Sequence, residues 1–301
     1  KPKAPQPTHF LCIPLTRHAS LSEPISDSIT STSTNQPPQQ QLSANIARFK
    51  QDVTQPAELG GFSLVPDAVR PTGTLHLTLG MMSFPQNGNN HRHTNSQAQS
   101  SGASDIGHHE GETALGHALE VLRALKPLEL MERSSRQRPV IPDTAAVVDA
   151  QQHQSLAPRL AITLQGLRPM QKRLDKTTVL YAAPTDPDGT IQAFAEAVRS
   201  SFQDAGLLVV DDRPLLLHAT IVNTIYVKAR NNNSDKKRGS HGKREVHTIK
   251  NVQGILDRYE NQIWMQDMPL DRIAICKMGA KPISRAMLVD AAYEVEAEIE
   301  F

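Results

Sequence analysis

Cysteine is scarce in this chain, with two residues among 301, Cys12 and Cys276. Each lies inside an apolar, strand-like run, which favours buried free thiols over a disulfide. A disulfide-stabilised secreted scaffold is therefore excluded, and a reducing, intracellular compartment is expected. Long apolar runs are absent as well: no stretch approaches the roughly 20 residues that span a bilayer, and no signal-peptide pattern is recognisable. We expect a monomeric domain that does not contact a membrane.

An excess of charge of either sign is also missing, since the formal net charge is +1. The charge is unevenly placed, however. Between Lys228 and Lys250 eight lysines and arginines face only Asp235 and Glu245, a local charge of +6. Such a segment can steer a polyanion or act as a nuclear address, and a solvated loop explains it equally well. The nucleus is thus favoured over the cytoplasm as the location.

Four polar segments without hydrophobic periodicity interrupt the chain, and they cannot contribute to a core. We interpret them as mobile insertions in one domain over residues 8–301. Their approximate bounds are 16–41, 85–111, 131–156 and 229–247.

Hydrophobic periodicity predicts helices and strands between these insertions. Helices are expected after Ser43 as N-cap, over 113–125, after Thr190 as N-cap, and over 249–259. Strands are expected over 10–15, 74–82, 159–167, 177–183, 216–227, 271–278 and 286–300. Because the series strand, helix and motif strand occurs twice, the chain is predicted to form two similar α+β lobes.

Two of the predicted strands carry the same tripeptide pattern, His76-Leu-Thr78 and His218-Ala-Thr220. Residues i and i+2 of a strand point to the same face, so each strand presents an imidazole beside a hydroxyl. Two hydroxyls can donate hydrogen bonds to the non-bridging oxygens of a phosphodiester, and two imidazoles can share general acid and general base roles. This chemistry requires no metal or other cofactor. Either motif alone is more often a packed histidine, so the prediction depends on the pair.

Other residues have weaker claims to function. Tyr226 is predicted on the same strand face as His218 and could stack on a base, whereas Trp264 is predicted to pack in the core. Lys228 and Arg230 could guide an RNA backbone towards the cleft. Five side chains could in principle collect a metal, but their spacing is not that of a metal site, and a polar loop explains them better. They are His91, His93, His108, His109 and Glu110.

The sequence also resembles the 2H phosphoesterase superfamily, which includes 2′-5′ RNA ligase-like proteins. The resemblance lies in four segments, found in the expected order. They are 8–15, 70–82, 217–226 and 272–280. They are similar to the branch that contains the A-kinase anchoring protein phosphoesterase domain, and most of all to the activating signal cointegrator complex subunit that carries this domain. That subunit carries an RNA-binding KH module ahead of the domain, and nothing in this sequence resembles one.

The resemblance implies a bilobal α+β fold in which two pseudo-symmetric antiparallel sheets with flanking helices enclose a central cleft. It also implies catalytic roles for His76 and His218 and phosphate-binding roles for Thr78 and Thr220. The expected activity is a metal-independent phosphodiesterase that acts on 2′,3′-cyclic, 2′,5′-linked or RNA-end phosphodiesters. The alternative is a non-catalytic RNA- or nucleotide-binding subunit of a nuclear transcription or repair complex.

Overall fold

A computed structural model describes residues 6–17, 36–84, 106–136, 160–227, 247–285 and 288–301. Five helices lie within these ranges. They are α1 (Pro38–Thr54), α2 (Ile106–Ala124), α3 (Pro127–Arg136), α4 (Thr190–Asp204) and α5 (Val252–Tyr259). The strands are β1 (His9–Pro14), β2 (His76–Met82), β3 (Ala161–Pro169), β4 (Val179–Pro184), β5 (Ala219–Asn223), β6 (Ile263–Pro269), β7 (Arg272–Lys277), β8 (Lys281–Arg285), β9 (Leu288–Ala292) and β10 (Val295–Glu300). None of the described helices is long and apolar enough to cross a membrane.

Two four-stranded antiparallel sheets organise the fold. One has the order β10-β7-β1-β2 and the other β5-β4-β3-β6, while β8 and β9 form a separate hairpin. Each sheet carries one His-x-Thr motif at its edge strand, β2 in the first lobe and β5 in the second. The predicted bilobal α+β architecture is therefore confirmed.

The alternation of apolar and polar residues explains why the motif strands lie where they do. In β2, Leu77 and Leu79 are fully buried, whereas the intervening Thr78 is partly exposed. Ala219 and Ile221 are likewise buried on either side of Thr220 in β5. Since apolar burial stabilises a protein by roughly 25 cal/mol per Å², a register shift of one residue would bury the polar face at high cost.

Helices α1 and α4 join the two lobes, because each follows a strand of one sheet and packs against the other sheet. Helix α1 follows β1 but packs on β6, and α4 follows β4 but packs on β2. One continuous apolar core therefore includes residues of both sheets. A direct link is formed by the backbone N–H of Arg70, which donates to the carbonyl oxygen of Ile221 at 2.8 Å.

The second motif strand is shorter than the predicted 216–227. It begins at Ala219, directly after His218, and ends at Asn223, after which Thr224–Tyr226 form a 3-10 turn. The side chain of Asn223 accepts a hydrogen bond from the backbone N–H of Ile225 and so caps this turn. Because alternation ends there, the prediction that Tyr226 shares a strand face with His218 was wrong.

Regular structure also reaches into segments that were predicted as insertions. Helix α1 starts at Pro38, where a proline fits the first helical turn, and α2 starts at Ile106. Helix α3 was missed because it is short and mostly polar, although Met131 is buried. The residues in 18–35, 85–105, 137–159 and 228–246 lie outside the described ranges, so mobility of the insertions stays a prediction.

Three further sequence predictions can be compared with the structure. Trp264 packs in the core as predicted, and its Nε1 donates to the carbonyl oxygen of Gly166 at 2.8 Å. Cys12 and Cys276 are buried free thiols as predicted, with sulfurs 3.8 Å apart. Thr190, however, does not cap α4: the carboxylate of Asp186 accepts from the backbone N–H groups at the start of that helix.

Candidate active site

A single cleft brings the two His-x-Thr motifs together. Its walls include His76 and Thr78 from the first lobe and Thr220 and Asn223 from the second. His218 is near enough for its positive charge to contribute to lowering the pKa of His76. Thr78 and Thr220, which are 142 positions apart in the sequence, thus line the same cleft.

Both histidines are held by the same local hydrogen bond. Nδ1 of His76 lies 2.8 Å from the carbonyl oxygen of Thr74, and Nδ1 of His218 lies 2.8 Å from the carbonyl oxygen of Leu216. A carbonyl oxygen can only accept, so the ring proton of each histidine is placed on Nδ1. In each neutral ring Nε2 is consequently the atom that can exchange a proton with a ligand.

An aromatic enclosure surrounds His76. The ring of Phe10 lies 4.7 Å from the imidazole and that of Tyr293 lies 5.3 Å away at 90°. Burial lowers the pKa of His76 to about 4, and the charges of Arg70 and His218 act in the same direction, while the hydrogen bond to Thr74 opposes them. His76 is therefore neutral at pH 7, with Nε2 unprotonated.

The other histidine has a related but more open environment. His218 lies against the edge of Tyr181, with ring centroids 5.3 Å apart. Tyr181 belongs to β4, the strand that pairs with β5, just as Phe10 belongs to β1, the strand that pairs with β2. Each sheet thus supports its motif histidine with an aromatic side chain from the adjacent strand.

The hydroxyl groups of Thr78 and Thr220 complete the arrangement. Both side chains line the cleft and are partly exposed. A hydroxyl at either position can donate to an anionic oxygen. The cleft therefore offers one histidine and two hydroxyl donors, with His218 two residues before Thr220, which is the set of groups expected to bind a phosphodiester.

Two further cleft residues were not singled out from the sequence. Arg70 lines the cleft, and its Nη2 donates to the hydroxyl of Tyr293 at 3.2 Å. Arg70 supplies a permanent positive charge beside the place where a phosphate would lie. Arg70 could have been predicted as a site residue from its position six residues before His76, because a cation just before a phosphate-binding strand can lie close to the phosphate. Tyr293 had no such signal, since it enters the cleft from β9–β10, far along the chain.

The structure does not describe the side chains of the remaining candidates. The backbone of Tyr226 lies in the 3-10 turn after β5, and Lys228 and Arg230 lie outside the described residues. Among the side chains that the structure describes, no group of three or more His, Cys, Asp or Glu could hold a metal ion. The structure does not describe the side chains of the five metal-ligand candidates named from the sequence, His91, His93, His108, His109 and Glu110.

Two antiparallel lobes, each with a His-x-Thr motif beside a shared cleft, are the arrangement expected of the 2H phosphoesterase class. Residues 36–301 match the family described as the AKAP7 2′5′ RNA ligase-like domain. The chain belongs to this family within the 2H phosphoesterase superfamily. Membership supports a phosphodiesterase-type activity in general terms.

Individual relatives are more distant. An uncharacterized protein of Schizosaccharomyces pombe is 27% identical over 122 residues, which are 40% of this chain and 50% of that protein. The chain thus spans about half the length of the curated relative that it matches. Escherichia coli LigT, solved with NADP+, is 14% identical with a TM-score of 0.38 over 99% of this chain and 98% of LigT. The Thermus thermophilus protein TT0787 is 11% identical with a TM-score of 0.41 over 97% of each chain.

Proposed function

We propose that this protein is a metal-independent phosphodiesterase that acts on RNA or nucleotides carrying 2′,3′-cyclic, 2′,5′-linked or RNA-end phosphodiesters. The observation that carries the proposal is the matched pair of Nδ1-to-carbonyl hydrogen bonds, 2.8 Å long in both lobes. In the proposed reaction, these bonds orient the two imidazoles so that each can present Nε2 to a shared ligand. Such a pair suits a reaction that needs one proton removed and another delivered.

In the proposed hydrolysis of a cyclic phosphate, Nε2 of His76 takes a proton from water. The water oxygen forms a bond to phosphorus while the bond from phosphorus to one ribose oxygen breaks. His218 acts as the general acid and delivers a proton to that leaving oxygen. The proton on His76 then returns to His218 through solvent, so atoms and charge balance over one turnover.

The assignment of His76 as base rests on its enclosure by Phe10 and Tyr293, which keeps it neutral in the free protein. Thr78, Thr220 and Arg70 would hold the phosphate oxygens. Their hydrogen bonds and charge stabilise the negative charge that accumulates on phosphorus-bound oxygens in the transition state. When the attacking group is a ribose 2′-hydroxyl, the same geometry supports the transfer direction.

The decisive experiment is turnover of short RNAs with 2′,3′-cyclic ends or 2′,5′ linkages in the presence of a chelator. Wild type, His76→Ala and His218→Ala are compared, with His117→Ala as the control because His117 is exposed on α2 and lines none of the cavities described. We expect losses of about 100-fold or more in both cleft variants and no change in the control. Turnover that survives both cleft substitutions would contradict the proposal.

The non-catalytic alternative gives a different result in the same assay. A binding subunit would retain nucleotide affinity in wild type without any turnover, and the two histidine variants would lose only affinity. The nuclear location and the multiprotein partner remain predictions that follow from the resemblance to the cointegrator subunit. Fractionation of cells that express the tagged full-length protein, followed by identification of co-purifying chains, tests both.

A further inference from the structure

A second cavity adjoins the cleft on the side of the first lobe. It shares His76, Phe10 and Tyr293 with the cleft and extends past them to Arg272, Val295 and Glu298. A ligand whose phosphate lies between His76 and Thr78 can therefore reach this cavity with the group attached to that phosphate. Within the proposed function, that group is a nucleoside.

Arg272 is unusual because its guanidinium is buried and incompletely paired. Only 6% of the side chain is exposed. Nε donates to Asp271 at 3.3 Å, Nη1 lies 3.7 Å from the carboxylate of Glu298, and Nη2 has no hydrogen-bond partner among the described residues. A buried charged donor without a partner is costly, so Arg272 is a candidate to bind a polar ligand.

The lining of the cavity argues against a second phosphate as this ligand. Glu298 is a carboxylate, which would repel an anion, and the remaining walls include the ring of Tyr293 and the side chain of Val295. Flat apolar walls with a few polar groups at one end suit a nucleobase, which can stack on an aromatic ring. The base edge would then lie against Arg272 and Glu298.

We propose that this cavity is a base subsite that prefers guanine. A carboxylate offers two acceptor oxygens, and Arg272 has one nitrogen without a partner among the described residues. The Watson–Crick edge of guanine has the complementary pattern of two adjacent N–H donors and one carbonyl acceptor. Cytosine presents the reverse pattern, one donor and two acceptors, while adenine and uracil offer too few donors to occupy both carboxylate oxygens.

The inference rests on the proposed function, since the phosphate must first bind beside His76. It goes further by naming the base next to the reacting phosphate. Arginine and carboxylate side chains discriminate between bases by about tenfold or more for each well-formed pair of hydrogen bonds. The substrate class would accordingly be RNA or nucleotides with guanine at one side of the scissile phosphodiester.

Calorimetric titration with the 5′- and 3′-monophosphates of guanosine, adenosine, cytidine and uridine tests the inference. The variant is Glu298→Gln, whose side chain is 40% exposed in wild type and whose amide oxygen can still accept from Arg272. The matched control is Glu300→Gln, which removes the same charge from the same strand but does not line the cavity. Thermal unfolding of each variant verifies that the fold is retained.

We expect one guanosine monophosphate to bind about tenfold more tightly than the other nucleotides. Glu298→Gln should remove that preference, and Glu300→Gln should preserve it. Equal affinities for all four bases, a preference for cytidine, or a guanine preference that persists in Glu298→Gln would each overturn the inference. If equal affinities still fall in His76→Ala, nucleotides bind beside His76 without a base subsite. Failure of every nucleotide to bind would overturn the inference alone, because the turnover assay tests the proposed function separately.

Discussion

The ring of Tyr293 stands perpendicular to the imidazole of His76, with centroids 5.3 Å apart. Tyr293 and Phe10 together shield the imidazole of His76 from water. Loss of hydration disfavours the imidazolium, which is the main reason that the pKa of His76 falls to about 4. We expect NMR titration of the His76 ring protons to give a midpoint near that value.

The Tyr293→Ala variant tests the cause of the shift. Opening the enclosure should move the pKa of His76 upward, towards the ordinary value of about 6.5. Phe301→Ala serves as the comparison, because Phe301 is also partly buried but lies against Phe194 and not against the histidine. A wild-type midpoint near the ordinary value, or no response to Tyr293→Ala, would contradict this explanation.

The same shift predicts how stability depends on pH. Because the pKa of His76 is lower in the folded chain than in the unfolded chain, the unfolded state binds more protons between about pH 6.5 and 4. The contribution of His76 is thus complete above pH 6.5 and is lost as the pH falls towards 4. We expect wild type to lose about 2 kcal/mol more than His76→Gln between pH 7 and pH 5, measured by urea unfolding. If the free energy of unfolding fell equally in wild type and His76→Gln, His76 would make no such contribution.

The leaving group distinguishes the roles of the two histidines. An aryl leaving group such as p-nitrophenolate departs without protonation, so a general acid becomes unnecessary. On 2′-deoxyuridine 3′-(p-nitrophenyl phosphate), water has to attack because no 2′-hydroxyl is present. On this substrate His218→Ala should lose less than about tenfold in kcat/KM, compared with about 100-fold or more on a ribose leaving group. His76→Ala should be impaired on both substrates. If His76→Ala, rather than His218→Ala, kept most of its kcat/KM on the p-nitrophenyl substrate, His76 would be the general acid and His218 the general base.

Gly73 provides a test of how the wall of the site is assembled. Its N–H donates to the carboxylate of Asp290, and a Cβ atom at this position would lie 2.7 Å from the backbone oxygen of Ala291. Because backbone must move to relieve that contact, we expect Gly73→Ala to destabilise the fold by about 1–3 kcal/mol. The substitution should also weaken nucleotide binding, because the displaced strand leads to Tyr293.

Gly116 is the matched control for this substitution. It lies within α2, and a Cβ atom there would have no neighbour within 4 Å. Alanine favours a helix over glycine by about 1 kcal/mol, so Gly116→Ala should raise the unfolding free energy. Chemical denaturation of both variants measures the difference. A neutral Gly73→Ala would mean that the Gly73–Asp290 contact is not tight.

A feature of the site could be predicted from the sequence when a few neighbouring residues determine it. The relation between His76 and Thr78 needs only the two-residue period of a strand, so it was readable directly. The length of the second motif strand could not be predicted in this way. The hydrogen bond from the N–H of Ile225 to the side chain of Asn223 ends the strand, although the sequence beyond it still resembles that of a strand. Helix α3 was hidden for a similar reason: its composition is that of a polar loop, and only its packing partners bury Met131.

By itself, the sequence determined the two half-buried motif strands, the chemistry of their side chains and the general division into two α+β lobes, because each depends on periodicity over a few residues. Only the tertiary structure decided that Tyr293 and Arg70 join the cleft, that His76 loses its water, and that Arg272 is buried beside Glu298. These relations depend on strand pairing and desolvation between segments up to more than 200 residues apart. No local pattern contains that information, because it arises when the sheets assemble.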